Sequence, residues 1–512
     1  MPGRLEFEVN FSTATHGKKR RSQTSPMQIL LMGDFGGENA STGFAIHRLD
    51  IDNFDTLFMK LAPRLELVVG TESTQVIAIE FKSIEDFHPD RLFDRLAIFQ
   101  QLRELRTQLH NPETFAQAAA QLVLPNANKP TESTVVESTT IAPAAQENAN
   151  PLEELLGDRP AHIAAEPTAI KSGKTVDIAE FIKNAIAPHI ESGPHPQRDN
   201  YIASIDLTIS ELMRAILHHP QFQALEAVWR SAYECVTRLE LDESLKIYLL
   251  GASKQQLQQD LQQASTDLSA STIYQSIVEK SVRTLGGEPW SLLVGLYTFA
   301  AQQEDIECLK ALGRLAYESG GPFIAAANPL ILGCNSLAIQ ADSRQWQGLT
   351  GEALQAWNEL RAQPYANWLA LAFPRFLLRL PYGAKANEIE RFEFEEMPTE
   401  LSDTQRHESY LWGNAATVCA VLIGQSYQLN GWSMGLGDVL ELDDLPWHVY
   451  ESQGEKILKP CAEAVLSEKT AETIESYGIM PLMSYKDRNA VRLWRFRSLA
   501  GQNGGLAGPW SD

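Results

Sequence analysis

The sequence predicts a mixed α/β protein, with a small α/β unit at the N-terminus and a larger mixed-sheet region with helical crossovers behind it. Three observations predict this. Short apolar runs such as "MQILLMG", "LKIYLLG" and "GPFIAAA" have the length and composition of buried strands. They alternate with longer stretches of helical period, the rhythm of a sheet with crossover helices. A change of composition near residue 121 separates the two regions.

In order along the chain, "LEFEVNF" alternates Leu5, Phe7, Val9 and Phe11 with polar residues, as a half-buried strand does. "MQILLMGDF" is a buried strand ending in a turn at Gly33-Asp34. "DNFDTLFMKLAPRL" is a short helix, with Asp52 or Asn53 as N-cap and Pro63 as its stop. "LELVV" and "VIAIEF" flank a polar turn as hairpin arms. "HPDRLFDRLAIFQQLRELRTQL" reads as one amphipathic helix, with Pro89 near its start. These elements make a first unit, residues 1–120.

Residues 121–199 are rich in Pro, Thr, Ser, Asn and Ala and poor in large apolar residues. Such a stretch buries too little surface to offset the entropy of ordering, so a low-complexity tether is expected. Two short helical islands interrupt it: "PLEELL" and "VDIAEFIKNAI", the latter with Ile178, Phe181, Ile182 and Ile186 on one face. Residues 200–498 form the large region. Ile205, Ile209, Leu212, Met213, Ile216 and Leu217 mark the buried stripe of a long helix. "KQQLQQDLQQA" is a polar helix, and "PWSLLVGLYTF" and "GPFIAAANP" are core strands separated by a helix at about 303–318. Residues 499–512 read as a flexible glycine-rich tail.

With 44% hydrophobic and 21% charged residues the 512-residue chain has the composition of a soluble globular protein. Its net charge of −22 argues against nucleic acid or an anionic membrane as main partner. The one basic run, Lys18 to Arg21, reads as a solvated hairpin tip. The start has no secretory pattern, and no apolar run approaches the roughly 18 residues of a membrane span. The five cysteines (235, 308, 334, 419, 461) are scattered and unpaired by motif, which suits reduced thiols in the cytoplasm.

The sequence carries few motifs with a chemical signature. "MGDFGGENASTG" follows a strand but has neither G-x-G-x-x-G spacing nor a Walker lysine, so a plain loop is expected. His218 and His219 are adjacent, diverge by about 100° on a helix, and suit a helix end better than a metal. No catalytic triad, acid/base pair, metal set or cofactor site is read. The unusual stretch is "FPRFLLRLPYG", which sets Arg375 and Arg379 in apolar surroundings where an unpaired guanidinium is costly. The acids that follow in "FEFEEM", Glu393, Glu395 and Glu396, are candidate ion-pair partners.

A set of motifs in order carries a resemblance. "HPQFQALEAVWR", "LKIYLLGASKQQLQQDL", "GGEPWSLLVGLYTF", "GPFIAAANP", "FPRFLLRLPYG", "FEFEE", "YLWGNAA", "ELDDLPWHVY" and "YGIMPLMSYKDRNAVRLWRFRS" resemble the large contractile-sheath subunit of bacterial type VI secretion systems. "ILLMGDFGG", "IDNFDTLFMKLAPRLELVV" and "IEFKSIEDFHPDRL" resemble the small sheath subunit, normally a separate chain. The resemblance implies two sheath subunits fused through the tether, which raises the effective concentration of pieces that must dock. It implies a cytoplasmic structural protein, not an enzyme, whose subunits pair by exchanged β-strands around an inner tube. Partners would be itself or other sheath subunits, with inner-tube, baseplate or disassembly-ATPase proteins as further candidates. Leu5, Phe7, Val9 and Phe11 match an assembly strand; Leu152, Leu155 and Leu156 match a candidate ATPase-contact helix. Arg375 and Arg379 become members of a structural ion network.

The family's large subunits continue beyond the motif near 478–498 into strands used for exchange, which leaves three readings. One is a fused sheath protomer. Another is a non-polymerising accessory, capping or baseplate-associated protein, since a heterologous contact needs both of its faces to propagate. The third is an enzyme on a borrowed scaffold.

Overall fold

A computed structural model describes residues 25–37, 44–70, 75–122, 178–189, 198–264, 267–337, 339–452, 454–501 and 504–510. Strands β1 (Met27–Gly33) and β2 (Ile46–Leu49) precede the hairpin of β3 (Arg64–Val69) and β4 (Gln75–Glu80). After the helices of the middle region come β5 (Leu245–Gly251), β6 (Leu292–Phe299), β7 (Phe323–Ala327) and β8 (Leu369–Phe373). The two-residue strands β9 (Phe376–Leu377) and β10 (Trp412–Gly413) follow, then β11 (Glu441–Leu442). A second hairpin, β12 (His448–Ser452) and β13 (Glu455–Lys459), precedes β14 (Ile479–Ser484) and β15 (Val491–Leu493).

Nine of these form one sheet in the order β11-β15-β14-β8-β7-β6-β1-β5-β2. From β14 to β5 all neighbours are parallel, and both edges are closed by antiparallel strands. A parallel sheet is covered on both faces, which is why its strands are continuous apolar runs with no alternation. Every residue of β7 and β8 is buried. The helix Ala415–Asn430, apolar almost all round, packs across β6, β7 and β8, and the helix Gln303–Ser319 packs against β7 and β8. Successive residues of β1 point to opposite faces. Thus Ile29 and Leu31 join one apolar cluster while Leu30 and Met32 join the other.

β1 belongs to the N-terminal region, yet it lies between β5 and β6. Met27 to Gly33 pair in register with Leu245 to Gly251 on one side, and Ile29 to Met32 pair with Leu292 to Gly295 on the other. The regions also share side-chain packing. Trp229, fully buried on the helix Pro220–Arg238, has Phe58, Phe35 and Phe54 rings at 4.2, 5.1 and 5.6 Å, and its indole N–H donates to the Phe35 carbonyl at 3.0 Å. The two regions that composition separates therefore form one sheet and share the apolar clusters on both of its faces.

Two segments differ from expectation. The helix read over residues 88–109 is two helices, Pro89–Arg95 and Ala97–His110, because Leu96 between them is extended (ψ 129°). The break turns Leu96 into the core, and the Gln100 side chain donates from Nε2 to the freed Asp94 carbonyl at 3.1 Å. Neither glycine nor proline marks it. The expected flexible tail instead packs back on the start of β8. The Leu499 and Ala507 amides donate to the carbonyls of Leu369 and Asn367, each at 2.8 Å, and the Leu499 and Leu506 side chains are buried.

Candidate functional site

Leaving β8, the chain runs through Arg375, the short strand β9 and Arg379, so Phe376 and Leu378 enter the main core while the two arginines alternate with them. Arg379 is buried between two carboxylates. Its Nε donates to Glu226 Oε1 at 2.9 Å, and its Nη1 and Nη2 donate to Glu396 at 2.8 and 3.1 Å. Its plane lies over the Tyr382 ring, 4.2 Å from the centroid. Glu226, on the helix Pro220–Arg238, also accepts from Arg230 Nε at 2.7 Å. Glu396 accepts the Tyr382 amide at 2.7 Å, and His218 Nε2 stands 3.4 Å away. Burial alone would raise the Glu396 pKa, but Arg379 and His218 hold it down to about 2. Burial likewise works against the Arg379 charge, and the two carboxylates raise its pKa well above the usual value.

Arg375 finds a different acid. Its backbone amide donates to Glu463 Oε2 at 3.0 Å, and its guanidinium reaches Glu463 Oε1. The same Oε1 meets His407 Nε2 at 3.2 Å, while Lys459 Nζ donates to His407 Nδ1 at 2.8 Å and to the Glu463 carbonyl at 3.0 Å. Lys459 thereby ties the β12–β13 hairpin to the helix Asp403–Ser409. At the hairpin's other strand, the Tyr410 hydroxyl meets His448 Nδ1 at 2.7 Å.

Of the residues singled out from sequence, Arg379 and Glu396 meet directly. Glu395 pairs with neither arginine: its carboxylate accepts the Ala384 amide at 3.0 Å, and its carbonyl accepts from Arg214 at 2.9 Å. It is turned outward because Glu396, its neighbour, faces in. The Glu395 carboxylate lies against Gly383, in the space a Cβ there would occupy. Glu393 is exposed. Leu5, Phe7, Val9 and Phe11, the run Lys18 to Arg21, and Leu152, Leu155 and Leu156 lie outside the described residues. Sequence reading missed Glu226, Glu463, His407 and Lys459, which lie 153, 88, 32 and 84 positions from the arginines they serve or share a partner with. No local spacing could have signalled them. His219 caps the helix Pro220–Arg238, accepting the Gln221 amide at 3.3 Å, while its neighbour His218 points into the ion network.

The network sits at the seam between the regions. Segment 380–397 crosses to the helix Pro89–Arg95, where the Asp90 carboxylate accepts the amides of Glu390 and Arg391, both at 3.1 Å, and the Phe392 ring stacks on Phe93 at 4.4 Å. Arg106 and Asp206 add a two-pronged pair between the helices Ala97–His110 and Arg198–Leu217, at 2.6 and 3.1 Å. A cleft of 490 Å³ opens along the seam beside His88, Arg230 and Tyr382, and its Asp90 and Asp94 carboxylates are engaged by the Glu390 and Arg391 amides and by Arg103 and Arg391. The five cysteines are buried free thiols, and burial pushes Cys235, Cys308 and Cys419 up to about 12. Among the described residues no helix is long and apolar enough to cross a membrane, and no group of three or more His, Cys, Asp or Glu residues is placed to hold a metal. Chemically, the arrangement fixes elements to one another through buried charge.

Two family models match successive parts of the chain. The sequence model of the family described as VipB (EvpB/VC_A0108, tail sheath N-terminal domain) matches residues 199–499. That described as type VI secretion system VipA, VC_A0107 or Hcp2, matches residues 4–122. The type VI secretion system sheath protein TssC1 of Pseudomonas aeruginosa strain PAO1 is 32% identical over 295 residues, which is 56% of this chain and 58% of that protein. Sheath protein TssB1 of the same organism is 26% identical over 117 residues, 21% of this chain and 67% of that protein. The chain thus spans less than two thirds of the longer relative's length. With the VipB match covering more than half of its residues and the VipA match preceding it, the chain belongs to the type VI secretion tail sheath family, with a small-subunit-type and a large-subunit-type region in one polypeptide.

Proposed function

We propose that the protein is a fused sheath protomer of a type VI secretion apparatus, a cytoplasmic structural component that assembles with copies of itself or with other sheath subunits. The observation that carries this reading is the seat of β1: a strand of the small-subunit-type region lies between β5 and β6 of the large-subunit-type region, paired along its whole length with β5 and over Ile29–Met32 with β6. The two regions therefore supply one folded unit of the kind from which a sheath is built. The buried Arg379 network and the half-buried Arg375 pair support a structural task, because each joins elements distant in sequence through the protein's own carboxylates. In this reading residues 5–11 are an assembly strand that pairs with a neighbouring subunit.

Negative-stain electron microscopy of the purified protein at rising concentration tests this. Tubes or helical fragments are expected, and single particles at every concentration would overturn self-assembly in favour of a capping or accessory role. Deleting residues 1–11 is expected to leave a soluble fold and abolish self-association in sedimentation velocity. Unchanged assembly after that deletion would count against the strand.

A further inference from the structure

We propose that Lys459 is a site of covalent acylation, taking the acyl group of a small acyl phosphate, with His407 accepting the amine proton and Glu463 holding His407 in the required tautomer. The geometry is that of an activated amine. Lys459 Nζ lies 2.8 Å from His407 Nδ1, and His407 Nε2 lies 3.2 Å from Glu463 Oε1. Because Nδ1 accepts from the lysine, the imidazole proton sits on Nε2, facing the carboxylate. Glu463 is fixed in turn by the Arg375 amide at 3.0 Å. Nucleophile to base and base to orienting acid is the arrangement that activates a side-chain nucleophile.

Lysine is inert while protonated, so the balance of charge around Nζ decides. Helix Asp403–Ser409 presents His407, Glu408 and Asp403, the segment after β8 presents Arg375, and the turn after β13 presents Glu463. The rings of Trp412 and Tyr410 lie 5.2 and 5.8 Å from Nζ, with His448 opposite Lys459 across the hairpin. Burial, opposed by Glu463 and reinforced by Arg375, brings the amine down to about 8. The side chain is mostly buried with a minor part open to solvent, on a two-stranded hairpin whose next lysine, Lys456, is exposed.

In the step, the neutral amine attacks the acyl carbon, the C–N bond forms, and the C–O bond to phosphate breaks. The amine proton passes through His407 to the departing phosphate, so the products are an amide and hydrogen phosphate with no further reactant. The amide loses the ammonium charge and keeps a single N–H, so it cannot donate to both His407 and the Glu463 carbonyl, and acylation would loosen the hairpin's hold on the helix Asp403–Ser409.

The test is labelling of the full chain with acetyl phosphate, followed by peptide mass spectrometry. At about pH 7.5 Lys459 is expected to react about tenfold faster than Lys456, a lead that shrinks towards pH 10.5 as ordinary lysines lose their protons. His407→Gln, with its fold checked by circular dichroism, is expected to lose most of the lead. Labelling of Lys459 no faster than Lys456 at pH 7.5, or a lead that is independent of pH in the unaltered chain, would overturn the proposal.

Discussion

Arg379 separates two carboxylates carried by different elements, and its removal leaves Glu226 and Glu396 buried with one cation fewer. Breaking a buried pair from one side costs far more than the pair contributes by itself, because the remaining charge is unsolvated. Arg379→Met is therefore expected to lower the unfolding free energy by about 3–5 kcal/mol in urea titrations. Glu395→Ala, one residue from Glu396 but exposed and bound to a single backbone amide, is expected to cost about 1 kcal/mol or less. Equal losses would contradict the assignment of Glu396 as the inward partner. The same carboxylate sets a pH dependence. Its folded pKa of about 2 lies below the ordinary 4.5, so the unfolded chain binds its proton more readily. Its contribution is full above about pH 4.5 and drains away as pH falls towards 2. Glu396→Gln is expected to flatten the acid limb of stability in that window, read from urea midpoints; an unchanged slope would remove Glu396 from the network. The need for acidic partners was legible from two arginines in an apolar run, and one partner lay close enough in sequence to be named. Glu226 and Glu463 were not legible, because only the fold brings them there.

Among elements, β1 is the strand of the N-terminal region that enters the interior of the large sheet. It has neighbours on both sides and apolar clusters on both faces, so Leu31→Ala, at a fully buried position, is expected to cost about 2–5 kcal/mol. Thermal or urea unfolding followed by both near- and far-ultraviolet circular dichroism checks this, and a single shared transition is expected, since the strand contributes to the apolar clusters on both faces of the sheet. A β1 that melted separately from β5 and β6 would contradict that packing. The strands of the parallel sheet were legible as continuous apolar runs, and the helix Gln303–Ser319 between β6 and β7 was legible from its period. The interruption at Leu96 was hidden because both halves keep their apolar stripes in phase with the core while the turn residue is an ordinary leucine. The packed C-terminal segment was hidden for a related reason. Its glycines suggest mobility, yet a few buried side chains and two backbone bonds, one to Leu369 at the start of β8 and one to Asn367 just before it, hold it.

For the whole molecule, sequence composition draws a boundary that the fold does not respect. A tether-like stretch reads as a divider between domains, but parallel strand pairing is long-range, and no local pattern reveals that residues 27–33 lie between strands more than 200 positions away. The seam is sealed by Trp229, by Asp90 with the amides of Glu390 and Arg391, and by Arg106 with Asp206. Without the N-terminal region, β5 and β6 would face each other across an empty strand position with unpaired backbone groups, an arrangement that exposes edges and apolar surface. The most direct measurement is co-expression of residues 1–122 and 199–512 as separate chains, with an affinity tag on one. A one-to-one complex that co-purifies, together with an aggregated or poorly folded 199–512 chain when expressed alone, is the expected result. A 199–512 chain that is monomeric, cooperatively folded and indifferent to the N-terminal piece would contradict the account of a single sheath unit built from both regions.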